Sequence, residues 1–174
     1  MGFTPDIVVM GKPMGNGLPL AAAAATREHV AAFRRETDYF NTFASTPLQA
    51  ATGMAVLDEI ERLELVDNAG RTGAYLLDRL RRCTDGLPFV GDVRGCGLFL
   101  AIEVVKDSAS RAPAPAQARE LANRFRGAGM LLGSAGAHGN ILKIRPPLVF
   151  GTAEAEAFLA ACSNCLGTGT AGDS

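Results

Sequence analysis

The period of the hydrophobic positions changes several times along this chain, and each change marks an element. Residues 6–10 form a short apolar run, DIVVM, that reads as a buried strand. Residues 20–26 hold five alanines and read as a second extended segment in which backbones approach closely. Residues 27–35 give a short polar helix at best. Thr46-Pro47 then predicts a longer helix, with a hydroxyl at the N-cap and proline at the first helical position. Its apolar residues Val56, Ile60 and Leu63 fall at helical spacing. From 65 to 83, Val66, Ala69, Gly73, Leu76, Leu77 and Leu80 make one stripe, with Arg71, Asp78, Arg79 and Arg82 mostly off it. Gly86 and Pro88 end that helix. In DVRGCGLFLAIEVV the glycines predict a bend or a close approach, followed by a β-rich run over 98–105. SASRAPAP, 108–115, reads as a loop, and Ala118, Leu121, Ala122 and Phe125 mark a third amphipathic helix closed by Gly127 and Gly129. Residues 130–132 and 141–144 read as strands, Thr152 caps a last helix, and the terminal GTGTAGDS reads as a frayed tail.

The pattern divides the chain. Residues 1–46 hold strand and loop with little amphipathic helix, so they do not easily close a core alone, and they are expected to be the edge of a larger domain. Residues 47–63 are a connecting helix, 64–166 alternate helix and strand as a small α+β domain, and 167–174 are a tail.

Composition narrows the function. Of 174 residues 48% are hydrophobic and the formal net charge is −1, with no basic stripe, so nothing electrostatic points to nucleic acid or an acidic membrane surface. The longest uncharged stretch, 39–57, is broken by polar residues and lacks the roughly 20 apolar residues of a membrane span. No secretory signal is visible, and four cysteines without a dense framework favour reduced thiols in a cytoplasmic setting.

The candidate chemistry sits in MGKPMGNGLP. The chain has only three lysines, Lys12, Lys106 and Lys143, and Lys12 lies where two prolines and three glycines constrain the backbone most. A lysine amine is a nucleophile only when neutral, and with a reference pKa near ~10.4 that form is scarce at neutral pH. A packed turn at a strand end, with glycines bringing backbone close to a ligand, suits Schiff-base chemistry. A solvated lysine in a surface turn is the alternative reading of these residues. A phosphate-loop reading fails, because Pro13 stands where that motif needs Ser or Thr, and GTGTAG at the end is a chance match to a dinucleotide fingerprint. YFNTFASTP gathers Asn41, Thr42, Ser45 and Thr46 before a helix start, which makes either an anion site or an ordinary N-cap with a polar loop. Cys162 and Cys165 form C-x-x-C, yet His29 and His138 lack matching spacing, so buried thiols are expected rather than a metal site.

PDIVVMGKPMGNGLPLAAAAATREHVAAF, YFNTFASTP, GDVRGCGLFLAIEVVKD and HGNILKIRPPLVF, in this order, closely resemble the C-terminal half of class III (ω-type) aminotransferases of PLP fold type I. The likeness is greatest to the alanine–glyoxylate aminotransferase 2-like branch, which includes ethanolamine-phosphate phospho-lyase. The resemblance implies an α/β chain: part of a fold type I large domain, incomplete at its N-terminus, followed by the small α+β domain. It implies pyridoxal 5'-phosphate as cofactor, small amine and oxo-acid substrates, and a homodimer with shared sites. Lys12 matches the lysine that bonds to PLP and moves the proton at the substrate's α-carbon. Thr42 matches a threonine that reaches the PLP phosphate of the neighbouring subunit, with Ser45 beside it. Arg145 matches the arginine near the substrate carboxylate, where a planar fork suits bidentate recognition; a structural salt bridge under Pro146-Pro147 is its alternative.

The chain departs from the branch at Leu18, where relatives carry histidine, and at Ala44 and Ser45, where they carry glycines that let backbone approach the phosphate. In the family the opening stretch lies in mid-chain. The phosphate-gripping turn, the aromatic that stacks on the pyridine and the aspartate that pairs with its nitrogen would therefore precede residue 1, and the chain alone is expected not to turn over. Three functions stay open: a transaminase, a phospho-lyase acting on an amino-alcohol phosphate, and a non-catalytic dimerising remnant.

Overall fold

A computed structural model describes residues 4–44 and 46–167, with Lys12 and Pro13 as backbone only. The chain divides after Leu63 into two compact units. The expected tail at 168–174 lies outside the described residues.

In the first unit, β1 (Ile7–Met10) and β2 (Ala22–Ala25) pair antiparallel, Ile7 opposite Ala25 and Met10 opposite Ala22. The connection between them holds a single 3-10 turn over Lys12–Gly15. α1 (Arg27–Glu36) starts at Thr26, whose hydroxyl accepts from the His29 N–H at 3.3 Å. α2 (Pro47–Arg62) starts with a capping box: Thr46 Oγ1 accepts from the Gln49 N–H, and Gln49 Oε1 accepts from the Thr46 N–H at 3.0 Å. The buried strand expected at 6–10 is instead exposed along its length, Val9 by 80%. Its partner strand is all alanine, and one-carbon side chains cover little of it.

The second unit runs α3 (Leu65–Thr84), β3 (Val90–Cys96), β4 (Phe99–Val104), α4 (Pro115–Gly127), β5 (Gly133–Ala135), β6 (Ile141–Ile144) and α5 (Thr152–Gly167). Its four strands form an antiparallel sheet in the order β3-β4-β6-β5. Alternation decides which face is covered. Leu100, Ile102 and Val104 of β4 and Leu142 and Ile144 of β6 point inward, against Leu76 and Leu80 of α3, Leu121 and Phe125 of α4 and Phe158 of α5. Each such side chain contributes on the order of 1.5–3 kcal/mol by leaving water. The Phe125 and Phe158 rings stack with centroids 5.8 Å apart.

Two strands differ from the sequence expectation. β3 was not anticipated, because its glycines interrupt the alternation. At Gly95 a side chain would put its Cβ 2.6 Å from the Phe99 carbonyl oxygen, so the pairing itself demands the glycine. The strand expected at 130–132 begins at Gly133 instead, because the Met130 N–H bonds the Phe125 carbonyl at 2.8 Å and keeps the chain at the end of α4. Thr152 is the first residue of α5 rather than its cap, and Glu154 reaches back to the Gly151 N–H at 3.0 Å. β3 and β4 join through Gly97-Leu98, with Gly97 at φ +54°, the left-handed first position of a type II′ hairpin turn. α3 crosses that turn so closely that a Cβ at Gly73 would lie 2.1 Å from the Gly97 oxygen. Among the described residues no helix is long and apolar enough to cross a membrane.

Candidate functional site

Lys12 opens the 3-10 turn that leaves β1, so the end of a strand and a tight turn fix its backbone together. The turn is braced from below. Gly15 is buried, and a Cβ there would come within 3.0 Å of Leu20 Cβ; Gly17 has φ +112°, a conformation that L side chains rarely adopt. Leu20 in turn lies over Gly53 of α2, where a Cβ would meet it at 2.9 Å. Gln49 donates from Nε2 to the Pro19 carbonyl at 3.4 Å, so one side chain both closes the α2 capping box and ties down the end of the lysine loop. The sequence reading did not single out Gln49, although Thr-x-x-Gln before a helix is a legible signal for it.

The polar cluster before α2 separates into distinct tasks. Thr46 is committed to the cap, and Asn41 Oδ1 accepts from the Phe43 N–H at 3.0 Å. Thr42 is exposed, and its hydroxyl makes no hydrogen bond among the described residues. Ser45 lies outside the described residues. A braced turn that carries an amine and an uncommitted hydroxyl are the chemical types that a phosphorylated pyridine aldehyde needs, so the residues present fit PLP.

Arg145 belongs to the second unit, one residue past β6. Its guanidinium carbon lies 5.6 Å from the centroid of the Phe99 ring, and it forms no ion pair among the described residues. A cation–π contact therefore takes the place of the salt bridge that the sequence left open. Cys162 and Cys165 are buried on α5, and burial pushes both thiols up from their ordinary range. Among the described residues no group of three or more His, Cys, Asp and Glu could hold a metal.

The two units, with a sheet covered by helices and a lysine at a strand end, have the form of class III transaminase chains. A solved phospholyase from Arthrobacter, in complex with phosphoethanolamine, superposes with a TM-score of 0.92 and 40% identity over 96% of this chain and 40% of that one. The Caenorhabditis elegans ethanolamine-phosphate phospho-lyase homolog 1 is 42% identical over 151 residues, 86% of this chain and 32% of the relative. The mitochondrial alanine–glyoxylate aminotransferase 2 homolog 2 of Arabidopsis thaliana is 40% identical over 146 residues, 84% of this chain and 30% of the relative. The chain thus spans about a third of the length of these curated relatives. Residues 1–166 match the family described as aminotransferase class III, and the chain belongs to that family. Its members are PLP-dependent enzymes.

Proposed function

We propose that this chain carries the lysine-bearing part of a PLP-dependent transaminase that moves an amino group from a small amine to an oxo acid. The observation that carries this reading is the placement of Lys12 in a braced turn at a strand end, within a family match that runs from residue 1 to 166. PLP, when bound, supplies an aldehyde that takes up amines and a ring that accepts the electrons released at the neighbouring carbon. Lys12 would hold the cofactor through Nζ and carry the proton at that carbon. Thr42, with Ser45, would donate to the cofactor phosphate across the interface of a homodimer. Arg145 would orient the substrate by an oxyanion at its far end. In this reading residues 1–46 form the edge of the PLP-binding domain, 47–63 connect, and 64–166 are the small domain.

The test is chemical. Borohydride reduction in the presence of PLP, followed by peptide mapping, should place the label on Lys12; a label spread evenly over Lys106 and Lys143 would overturn the assignment. Thr42→Val should weaken PLP binding by about 1–3 kcal/mol, the usual cost of leaving a charged acceptor short of a partner.

A second reading, elimination of phosphate from an amino-alcohol phosphate, is favoured by the phospho-lyase names of two similar proteins. Oxo-acid dependence separates the two. A transaminase needs the acceptor, whereas a lyase releases inorganic phosphate without it.

A further inference from the structure

Arg145 is held without being neutralised, and the sheet explains both halves of that statement. Leu100 pairs with Ile144 in the antiparallel ladder between β4 and β6, so the next step brings Phe99 and Arg145 opposite each other. Leu100 and Ile144 are buried, so alternation sends Phe99 and Arg145 to the outer face. There the guanidinium meets the ring at 5.6 Å, with Phe99 58% exposed and Arg145 exposed as well. The same face carries two acids, Asp92 and Glu103, which pair with each other across β3 and β4. Arg94 binds both, at 2.8 Å and 2.7 Å, and Glu103 stands opposite Ile141, four residues or roughly 13 Å along β6 from Arg145, so neither carboxylate is within reach of its guanidinium.

We propose that Phe99 is the positioning residue for Arg145: its ring holds the guanidinium plane while leaving the N–H fork open to the oxyanion of a small amine substrate, a carboxylate or a phosphate. The proposal rests on the reading of Arg145 given above and deepens it. An aromatic face holds a guanidinium without using its donors, whereas a carboxylate partner would use the donors a substrate needs. Pro146 and Pro147 follow directly and stiffen the backbone on which Arg145 is mounted.

The test reads the guanidinium itself. In the full chain, the Arg145 Nε–H, identified by its loss in Arg145→Gln, should resonate upfield of free arginine through the ring current of Phe99. Phe99→Leu should abolish that shift and Phe99→Tyr should retain it. At constant ionic strength, titration with inorganic phosphate and, separately, acetate should move the signal. Phe99→Leu should weaken the response by about two- to fivefold, the strength of an exposed cation–π contact, and Phe99→Tyr should restore it. A larger response to phosphate than to acetate would assign the phosphate source, and the reverse the carboxylate source. An unshifted Nε–H, or equal anion responses in wild type and Phe99→Leu, would overturn the role of Phe99 alone. A ring-shifted signal that neither anion moves would overturn the oxyanion role of Arg145, and this proposal with it.

Discussion

Iodoacetamide at mildly alkaline pH should rank the four cysteines by burial rather than by sequence neighbourhood. Cys96 is exposed at the hairpin end and should label first. Cys83 is half-buried, with its thiol pushed up by burial against a smaller pull from Arg79, and should follow slowly. Cys162 and Cys165 should label only on unfolding, and mass spectrometry that finds Cys162 modified in native protein at the rate of Cys96 would contradict the packing. Asp107 makes a second prediction at this scale. Its carboxylate accepts the Ala109 and Ser110 N–H groups at 3.1 and 2.7 Å and the Ser110 hydroxyl at 2.8 Å, and the Ser110 N–H is the first cause of its lowered pKa. A depressed folded value means stabilisation that is present above the ordinary carboxylate pKa near ~3.9 and is lost as pH falls through the folded one. The Ala109 and Ser110 amide shifts should therefore move below about pH 4 in wild type and stay flat in Asp107→Asn. Burial of the C-x-x-C thiols was legible because free cysteine behaves as a small hydrophobe and neither histidine stood at a metal-binding spacing. The Asp107 turn was visible only as a loop, because two of its three donors are backbone groups that carry no residue-type signature.

Among the elements, α2 and α3 make the sharpest expectations. Thr46→Ala removes the acceptor of the Gln49 N–H and should cost about 1 kcal/mol in urea unfolding. Gly73→Ala should destabilise by about 1–3 kcal/mol, since a Cβ 2.1 Å from the Gly97 oxygen forces helix and turn apart. An unchanged urea midpoint for Gly73→Ala would mean that the two do not touch in solution. α2 was readable from its cap, Thr46-Pro47, although it buries no residue, and α3 and α4 were readable because their stripes face one core, as Leu76 and Leu80 do at 0% exposure. β3 was not. Its identity lies in pairing with β4, and Gly91 and Gly95 remove the side chains that would have advertised it. Gly73 looked like one more small residue of a stripe, and nothing local announces that a turn more than a helix-length away in sequence will press against it.

At the scale of the molecule, every buried hydrophobic side chain among the described residues lies between Leu65 and Leu166. Hydrogen exchange should therefore show the slowest amides in β4, β6 and the facing turns of α3, with residues 4–62 exchanging earlier. Slow exchange in β1 equal to that in β4 would refute this ordering. The candidate site follows the same division of legibility. Lys12 stands out in sequence because glycine and proline surround it, whereas the partner of Arg145 emerges only when β6 is laid beside β4.

The bond from the Tyr75 hydroxyl to Glu156 joins α3 to α5 across a separation of 81 residues. During synthesis α3 leaves the ribosome long before α5 exists, and α5 brings seven of the side chains that seal the interior. A nascent chain arrested after β6 but before residue 152 would leave the side chains of α3 and α4 that face α5 open to solvent, so this unit is most exposed to aggregation just before its last helix arrives.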